Sequence, residues 1–261
     1  MKRKRSLKRI EQDAPILGLI NSIKADHPFW GYRRIWAYLR FHHDLKIGKN
    51  RIHRIMLEHN LLVKKNMRLL AKRTAPRPKP RATRPNQFWG TDMTKIKLKD
   101  FGWLYLHIVL DWCTKEIIGY SLSLQSKSND WLLALDRAVN NRFPEGAMLK
   151  KDELFLISDN GCQPTSEKFM SACHTLEIKQ IFTSWNNPKG NADTERVMRT
   201  IKEDLVWPKD WDNPFEFEKA FADWVVKYNN DFPHQALAYS TPALFFKTFQ
   251  QKAVNSLIFS A

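Results

Sequence analysis

Apolar residues recur at helical spacing in three short segments near the start of the chain. The pattern predicts helices over residues 12–26, 31–42 and 50–59. Proline disfavours the α region in the residue before it, so the first helix is expected to end at Pro28. The core-facing positions of these helices are Ile16, Leu19, Ile20, Ile23, Ile35, Trp36, Leu39, Ile52, Ile55, Met56 and His59.

The third of these helices is basic on its outer face. We expect Asn50 to be its N-cap and Asn60 to close its C-terminus, because asparagine is favoured at both places. Three compact helices with a basic last helix are typical of a helix-turn-helix module, whose final helix enters a groove of DNA. We therefore predict a helical DNA-binding domain over residues 1–63. Its candidate DNA contacts are Arg33, Arg34, Arg51 and Arg54.

From residue 87 onward, β-type runs alternate with helical ones. FWGTDMTKIKL and WLYLHIVLDW, joined by a KDFG turn and followed by KEIIGYSLSL, predict an antiparallel meander. A helix, a strand, a helix, a strand and a helix over residues 192–206 follow, and then a long aromatic-rich helix over residues 215–230. This order predicts an α/β (α+β) fold, a ribonuclease H-like mixed five-stranded sheet flanked by helices. We assign it to residues 87–250 and treat residues 251–261 as a tail.

Charge is segregated along the chain. Residues 1–85 contain 23 lysines and arginines against 5 acidic residues, a net charge of +18, whereas residues 86–261 contain 20 against 22. A basic segment of this kind binds polyanions, because each cation that neutralises a phosphate releases counterions. Double-stranded DNA is therefore the favoured partner. An anionic membrane surface is the alternative, but the basic third has no strongly apolar face beyond its helix cores, so we predict no membrane partner.

Residues 64–86 are predicted to be a basic linker between two domains. The run KKNMRLLAKRTAPRPKPRATRP has nine basic residues, four prolines and no acidic residue. Proline fixes φ and removes a hydrogen-bond donor, so we expect an extended segment. The segment either follows a DNA backbone through residues such as Lys72, Arg73 and Arg77 or serves as a passive spacer.

Several classes of protein are excluded by what the sequence lacks. It has no run of about 18 apolar residues and no apolar N-terminal stretch, which predicts a soluble, cytoplasmic protein. Cys113, Cys162 and Cys173 are odd in number and far apart, so they indicate neither a disulfide framework nor a structural zinc site.

Three acidic residues stand where a ribonuclease H-like fold would bring strand and helix ends together. Asp92 lies inside the first predicted strand, Asp159 at the end of the fourth, and Glu195 in the helix after the fifth. A carboxylate in a strand needs a compensating cation or hydrogen-bond donor. Three convergent carboxylates suit two Mg²⁺ ions about 3.5–4 Å apart, for which Mn²⁺ can substitute. The alternative is that Asp92 pairs with a lysine and Asp159 only starts a turn.

The helix that carries Glu195 also carries basic residues. Arg199 at i+4 and Lys202 at i+7 lie on the side of Glu195. They either contact the DNA backbone or form ion pairs, Arg199 with Glu195 and Lys202 with Glu203. Lys189, in the loop before the helix, is a further candidate DNA contact. The apolar stripe of the helix consists of Val197, Met198, Ile201 and Leu205.

The motifs WGTDMT, SDNGCQ and NADTERVMRTIKED resemble the catalytic core shared by retroviral integrases and the insertion-sequence transposases whose gene has two overlapping frames. With HPFWGYRRIWAYLR near the start and YNNDFPHQALAYSTPALF near the end, the likeness covers nearly the whole chain. In that family a WxxDxT strand, an SDxG turn and a Glu followed seven residues later by Lys or Arg match Asp92, Asp159, Glu195 and Lys202.

The resemblance implies an activity and partners. It implies cleavage of a donor DNA strand by water and strand transfer by a 3′ hydroxyl, both at one site without a covalent enzyme intermediate. It also implies a homo-oligomer assembled on paired element ends and on target DNA. In relatives, a protein from an upstream frame supplies a second helix-turn-helix and a dimerising zipper, so that protein is a further expected partner.

The chain departs from this family pattern in three places. The histidines of the first 60 residues have no cysteine partners nearby, so we predict no zinc of the retroviral integrase type. Cys162 stands where a small hydroxyl or alanine is more usual. Phe232 replaces the arginine often seen before Pro-His, which makes packing or capping the expected role of His234.

Two other functions remain open on the residues alone. A hydrolytic nuclease of the same fold, acting on RNA in hybrids or on DNA junctions, would use the same metal chemistry without joining strands. A non-catalytic DNA-binding regulator is the second, although the presence of all three acidic residues argues against it.

Overall fold

The computed structural model describes residues 7–63, 80–146, 149, 152–183 and 190–258. They divide into two compact units. One contains the residues up to 63 together with 231–240, and the other contains residues 80–230 and 241–258. Residues 64–79, most of the predicted linker, lie outside the described residues. The boundaries 1–63, 64–86, 87–250 and 251–261 stay a prediction for independently folding domains.

The first unit is built on the three predicted helices. They are α1 (Leu7–Asp26), α2 (Tyr32–Phe41) and α3 (Lys49–Glu58). The helix α1 begins earlier than predicted and contains Pro15, which removes one backbone hydrogen bond. The fully buried residues at its centre are Ile20, Ile35, Leu39, Ile52, Ile55 and Met56, as the apolar spacing predicted.

Two details of α3 differ from the prediction. Its N-cap is Gly48, without a side-chain cap, so Asn50 lies inside the helix instead of before it. His59 is exposed, because the helix ends at Glu58 and the chain turns away there. Asn60 has a φ of 56°, a left-handed conformation that closes a helix, as expected.

A C-terminal segment completes this unit. Phe232 is 1% exposed, and its ring lies edge-on to Trp30 at 4.9 Å and to His27 at 5.0 Å. The ring of Tyr239 contacts Trp36 at 5.4 Å. The backbone of His234 joins both ends of the intervening turn, because its N–H donates to Ser240 and its carbonyl accepts from Leu237 and Tyr239.

The second unit is built on the predicted five-stranded sheet. Its strands are β1 (Phe88–Leu98), β2 (Gly102–Asp111), β3 (Ile117–Ser123), β4 (Leu154–Ser158) and β5 (Ile178–Phe182). They lie in the order β3-β2-β1-β4-β5. The first three form the predicted antiparallel meander, whereas β4 is parallel to both β1 and β5. The mixed sheet and its flanking helices confirm the predicted fold class.

Helices cover both faces of the sheet. On one face, α4 (Ser128–Arg142) and α5 (Glu167–Thr175) pack over Trp89 and its neighbours. The helix α4 lies very close to β3, since a Cβ at Gly119 would be 2.3 Å from the Ala134 carbonyl oxygen. On the other face lie α6 (Ala192–Ile201) and α7 (Pro214–Asp231). The aromatic stripe of α7 consists of Phe217, Phe221, Trp224 and Tyr228.

The last helix, α8, runs from Pro242 to Ile258, so it continues through most of the residues predicted to be a tail. Its residue Phe246 lies under the guanidinium of Arg142, 3.9 Å from the ring centre. Among the helices that the structure describes, none has both the length and the apolar character needed to cross a bilayer.

Candidate functional site

The three predicted acidic residues lie on neighbouring elements of the second unit. Asp92 is in the middle of β1, Asp159 directly follows β4, and Glu195 is in the first turn of α6. The strands β1 and β4 are neighbours in the sheet. Asp92 is half-buried, whereas Asp159 and Glu195 are exposed.

The charges of Asp159 and Glu195 act on the carboxylate of Asp92. The pKa of Asp92 is raised from 3.8 to about 6, mainly because burial removes water from the carboxylate. The negative charges of Asp159 and Glu195 raise it further, while the hydrogen bond from Met93 N–H and the positive charge of Lys202 lower it. The four side chains therefore share one electrostatic neighbourhood.

The three carboxylates are not close enough to one another to bind a single metal ion. Among the described residues, no three histidine, cysteine, aspartate or glutamate side chains are close enough to hold one metal ion. Asp92 Oδ1 accepts a hydrogen bond from Met93 N–H at 2.8 Å, and Asp159 Oδ1 accepts one from Gly161 N–H at 3.1 Å. Each carboxylate is therefore held partly by its own loop or strand.

The turn that carries Asp159 is fixed by two amide side chains. Asn160 Nδ2 donates to the Thr183 carbonyl at 2.7 Å, which joins the turn to the end of β5. Gln163 Nε2 donates to the Ser126 carbonyl at 3.1 Å, which joins it to the segment before α4. The motif SDNGCQ thus contains the carboxylate and both residues that anchor it.

A contact between α6 and β1 fixes the helix that carries Glu195. Trp112 Nε1 donates to Thr194 Oγ1 at 3.1 Å, and Asn191 Nδ2 donates to the Thr91 carbonyl at 3.1 Å. Both hydrogen bonds are buried. A Cβ at Gly90 would lie 2.0 Å from Thr194 Oγ1 and 2.3 Å from Trp112 Nε1, so only glycine allows this approach.

This contact was missed in the sequence, although one signal for it was present. A glycine inside a strand marks a place where another backbone or side chain comes close, and Gly90 stands two residues before Asp92. Its partners are far away along the chain, and their spacing carries no such signal. Lys115 adds a third tie, since its Nζ lies 3.0 Å from a carboxylate oxygen of Asp193 in α6.

The basic residues after Glu195 differ from the predicted arrangement. The regular helix ends at Ile201, and a π-helical turn covers Lys202–Val206. The change of period rotates Leu205 out of the apolar stripe, so it is only half-buried. Arg199 pairs with Glu203 at 2.6 Å, whereas the sequence suggested Glu195 as its partner and Lys202 as the partner of Glu203.

In the first unit, the two candidate arginines of α3 are held by an acid. Asp13 Oδ1 accepts a hydrogen bond from Arg51 Nε at 2.8 Å, and its Oδ2 accepts one from Arg54 Nη2 at 2.7 Å. Arg54 also donates to Glu58 at 3.1 Å. The two arginines therefore point away from the apolar core, as predicted, but they are fixed in orientation and neutralised. They line an open cleft of about 460 Å³ together with Gln12 and Asn50.

The remaining candidate DNA contacts fall into two groups. Arg33 is exposed beside the Tyr32 ring, and Arg34 is half-buried over the Trp30 ring. The others, Lys72, Arg73, Arg77 and Lys189, lie outside the described residues.

Comparison with known proteins matches each part of the chain. Residues 11–68 match the family model of an HTH-like domain, and residues 82–188 and 176–242 match two models of an integrase core domain. The transposase InsD of insertion element IS2A/D/F/H/I/K from Escherichia coli is 25% identical over 254 residues, which cover 95% of this chain and 83% of that protein. The InsD transposase of element IS2-9 from the K12 strain is equally similar, with 81% of that protein covered.

The chain is a transposase with an integrase core domain. It is a polynucleotidyl transferase that acts on DNA. Solved structures similar to this transposase include the magnesium complex of the HTLV-2 integrase catalytic core, with 19% identity, a TM-score of 0.48 and coverage of 64% of this chain and 99% of that one. The simian T-cell lymphotropic virus intasome in complex with PP2A regulatory subunit B56 gamma has 17% identity, a TM-score of 0.49 and coverage of 80% and 73%.

Proposed function

We propose that this transposase cleaves a donor DNA strand with water and then joins the resulting 3′ hydroxyl to target DNA, both at a site formed by Asp92, Asp159 and Glu195. The observation that carries the proposal is that Asp159, at the end of β4, and Glu195, in α6, lie near enough to Asp92 in β1 for their charges to raise its pKa.

Two Mg²⁺ ions are the proposed cofactor, with Mn²⁺ as a substitute. The comparison of Asp92 with Asp111 supports a cation. Asp111, also in a strand and 0% exposed, accepts hydrogen bonds from the backbone N–H groups of Asn86, Cys113 and Thr114. The hydrogen bond described for Asp92 comes from its own neighbour Met93, while two further carboxylates repel it.

The donor set fits hard divalent cations, because Mg²⁺ prefers carboxylate oxygens together with water and phosphate oxygens. Bound ions would activate the attacking oxygen and stabilise the leaving oxygen. Asp92 must lose its proton to act as a ligand, and its raised pKa means that this proton competes with the cation near pH 6.

The surrounding residues would hold the DNA. Lys202 lies near enough to Asp92 to lower its pKa, so we assign it to the phosphate next to the scissile bond. We assign Arg199 to the adjoining backbone, in exchange for its contact with Glu203. In the first unit, Arg33, Arg34, Arg51 and Arg54 are the proposed contacts to duplex DNA, with Asp13 fixing the last two. Lys72, Arg73, Arg77 and Lys189 are proposed backbone contacts.

The assembly is also a proposal. We infer a homo-oligomer on paired element ends and target DNA, since joining two ends to one target requires two active sites. The protein of an upstream frame is a further proposed partner for recognition of the element ends.

A strand-transfer assay tests the proposed chemistry. Purified protein, labelled element-end DNA and Mg²⁺ should give both nicked and joined products. Asp92→Asn should lower both by about 100-fold or more, since loss of a residue that only orients a metal ligand already costs about 10- to 100-fold. It should also weaken Mn²⁺ binding, measured by electron paramagnetic resonance without DNA.

The matched control is Asp100→Asn, an exposed acid at the β1–β2 turn, which should change neither measurement. Nicked products without joined ones would replace the proposal with a hydrolytic nuclease. Unchanged activity of Asp92→Asn would remove the catalytic assignment altogether.

A further inference from the structure

Lysines stand directly opposite aromatic residues at the outer end of the β1–β2 hairpin. Lys95 pairs across the strands with Tyr105, and Lys97 pairs with Trp103. Each Nζ lies 5.4 Å from the centre of the opposite ring. Phe101 continues the row into the turn. We call Lys95, Lys97, Phe101, Trp103 and Tyr105 the Lys-aromatic strip.

The strip is exposed, except for the half-buried Tyr105, because α4 begins too late to cover it. The last cross-strand pair that α4 covers on this face contains His107. This residue contacts Ser126, just before α4, and Trp131, in the first turn of α4. The next two cross-strand pairs on this face, Lys95 with Tyr105 and Lys97 with Trp103, belong to the strip and lie beyond the start of α4. Trp103 is 49% exposed and Phe101 is 51% exposed.

The hydrophobic core does not account for these aromatic side chains. Strand residues alternate between faces, and the opposite face of the same hairpin carries buried Ile96, Leu98 and Leu104. Lys179 and Lys209 also lie over rings, at 5.7 Å and 4.1 Å, but each in addition pairs with a carboxylate at 2.6 Å. Within the described part of the chain, Lys95 and Lys97 have the ring contact without such an ion pair. The strip is therefore both basic and aromatic.

We propose that the Lys-aromatic strip binds an unpaired segment of a DNA strand. Surfaces that bind single strands combine cations for the backbone with aromatic rings on which bases stack, and the strip presents both. The proposal rests on the proposed function only in taking DNA as the polymer. The strip and Asp92 share strand β1, where Asp92 comes three residues before Lys95. The two lie on opposite faces of the sheet, because strand residues alternate between faces.

Stacking gives the proposal a specific signature. Bases in a duplex are already stacked on one another, so only an unpaired strand offers them to Trp103. An abasic strand keeps the phosphates and lacks the bases. Loss of the Trp103 ring should therefore weaken binding of the unpaired strand and leave binding of the duplex and of the abasic strand unchanged. Loss of a lysine should weaken binding of every polymer whose phosphates reach the strip.

The test measures the Kd of the full chain for three probes of equal length, a single-stranded oligonucleotide, the same sequence as a duplex and an abasic oligonucleotide. EDTA is present throughout, so that the outcome does not depend on metal binding or on catalysis. Trp103→Ala should weaken binding of the single strand by about ten-fold and leave the other two within two-fold of the wild type. Lys95→Ala should reduce the slope of log K against log salt concentration for single-strand binding, by the equivalent of about one phosphate contact.

Two surface variants are matched controls. Phe215→Ala removes another exposed aromatic ring, and Lys179→Ala removes a lysine that lies over Phe155 at 5.7 Å. Both should leave single-strand binding unchanged. Equal weakening for all three probes, or none for any, would overturn the proposal. A Trp103→Ala protein that binds single strands normally but no longer self-associates in sedimentation would assign the strip to a second copy of the chain instead.

Discussion

His107 is a titratable residue that the proposed chemistry does not use. It is 0% exposed in β2, with its two ring nitrogens 3.2 Å from Ser121 Oγ and 3.1 Å from Ser126 Oγ. Burial lowers its pKa from 6.5 to about 4, although the negative charge of Asp130 and the hydrogen bond with Ser121 oppose that shift. The imidazole is therefore neutral in the folded protein at neutral pH.

This residue predicts a pH-dependent stability. Below about pH 6.5 the unfolded chain is protonated at His107, whereas the folded chain is protonated there only below about pH 4. The stabilisation is thus complete above pH 6.5 and is lost as pH falls toward 4, by up to about 3 kcal/mol. In urea unfolding at a series of pH values, His107→Gln should lack this part of the decline. The exposed control His174→Gln should keep it, and parallel curves for wild type and His107→Gln would refute the assignment.

At the scale of residues, the sequence gives a signal where a side chain is out of place in its own segment, and the catalytic role inferred from that signal stays a prediction. A carboxylate in the apolar strand around Asp92 stands out without any knowledge of the fold. Asp111 is fully buried and was passed over, since its partners are the backbone N–H groups of a turn. Likewise Asp13 gave no sign that it would bind Arg51 and Arg54, because a polar residue on a helix is ordinary until its neighbours are known.

At the scale of elements, the position of α6 against β1 decides the geometry of the site. Two buried hydrogen bonds join Thr194 to Trp112 and Asn191 to Thr91, and Gly90 leaves the space for them. Glu195 is the residue after Thr194, so this contact sets its distance from Asp92.

Thr194→Val tests whether that contact positions Glu195. Valine keeps the shape of threonine but removes the hydroxyl that accepts from Trp112, so stability should fall by about 1–3 kcal/mol. Mn²⁺ affinity, measured without DNA, should fall as well because Glu195 loses its fixed position. Thr194→Ser keeps the hydroxyl and should restore most of the affinity. A valine variant that is destabilised but binds Mn²⁺ normally would limit the contact to a structural role.

Element boundaries were predicted where the apolar period is regular, as in α4 and in the three strands of the meander. The π-helical turn at Lys202 was missed, because a five-residue change of hydrogen bonding leaves the residue types unchanged. Leu205 lies in that turn and is only half-buried. The ion pair of Arg199 with Glu203 has the ordinary i, i+4 spacing of a helix.

At the scale of the whole molecule, residues from both ends of the chain build the first unit. The segment 231–240 packs on helices of the first 60 residues through Phe232 and Tyr239. The three N-terminal helices therefore bury part of their core against residues that follow the five-stranded sheet in the sequence.

Phe232→Ala should destabilise the first unit selectively. Removing a fully buried phenylalanine costs about 3 kcal/mol or more, and the Phe232 ring packs against Trp30 and His27 within this unit. Hydrogen exchange should show faster exchange in α2 and α3, with protection of the five-stranded sheet retained. Phe215→Ala, at a residue 78% exposed, should change neither unit. Equal loss of protection in the sheet would show that the segment is not specific to the first unit.

The sequence by itself determined the order of the elements, the mixed sheet, the basic first third and the three acidic residues. These properties are local, since periodicity, proline and a misplaced carboxylate act within one segment. Only the tertiary structure decided which distant side chains meet, such as Trp112 with Thr194, which are 82 residues apart. A linear pattern fixes the face that a residue presents, whereas the partner on that face depends on how the elements pack.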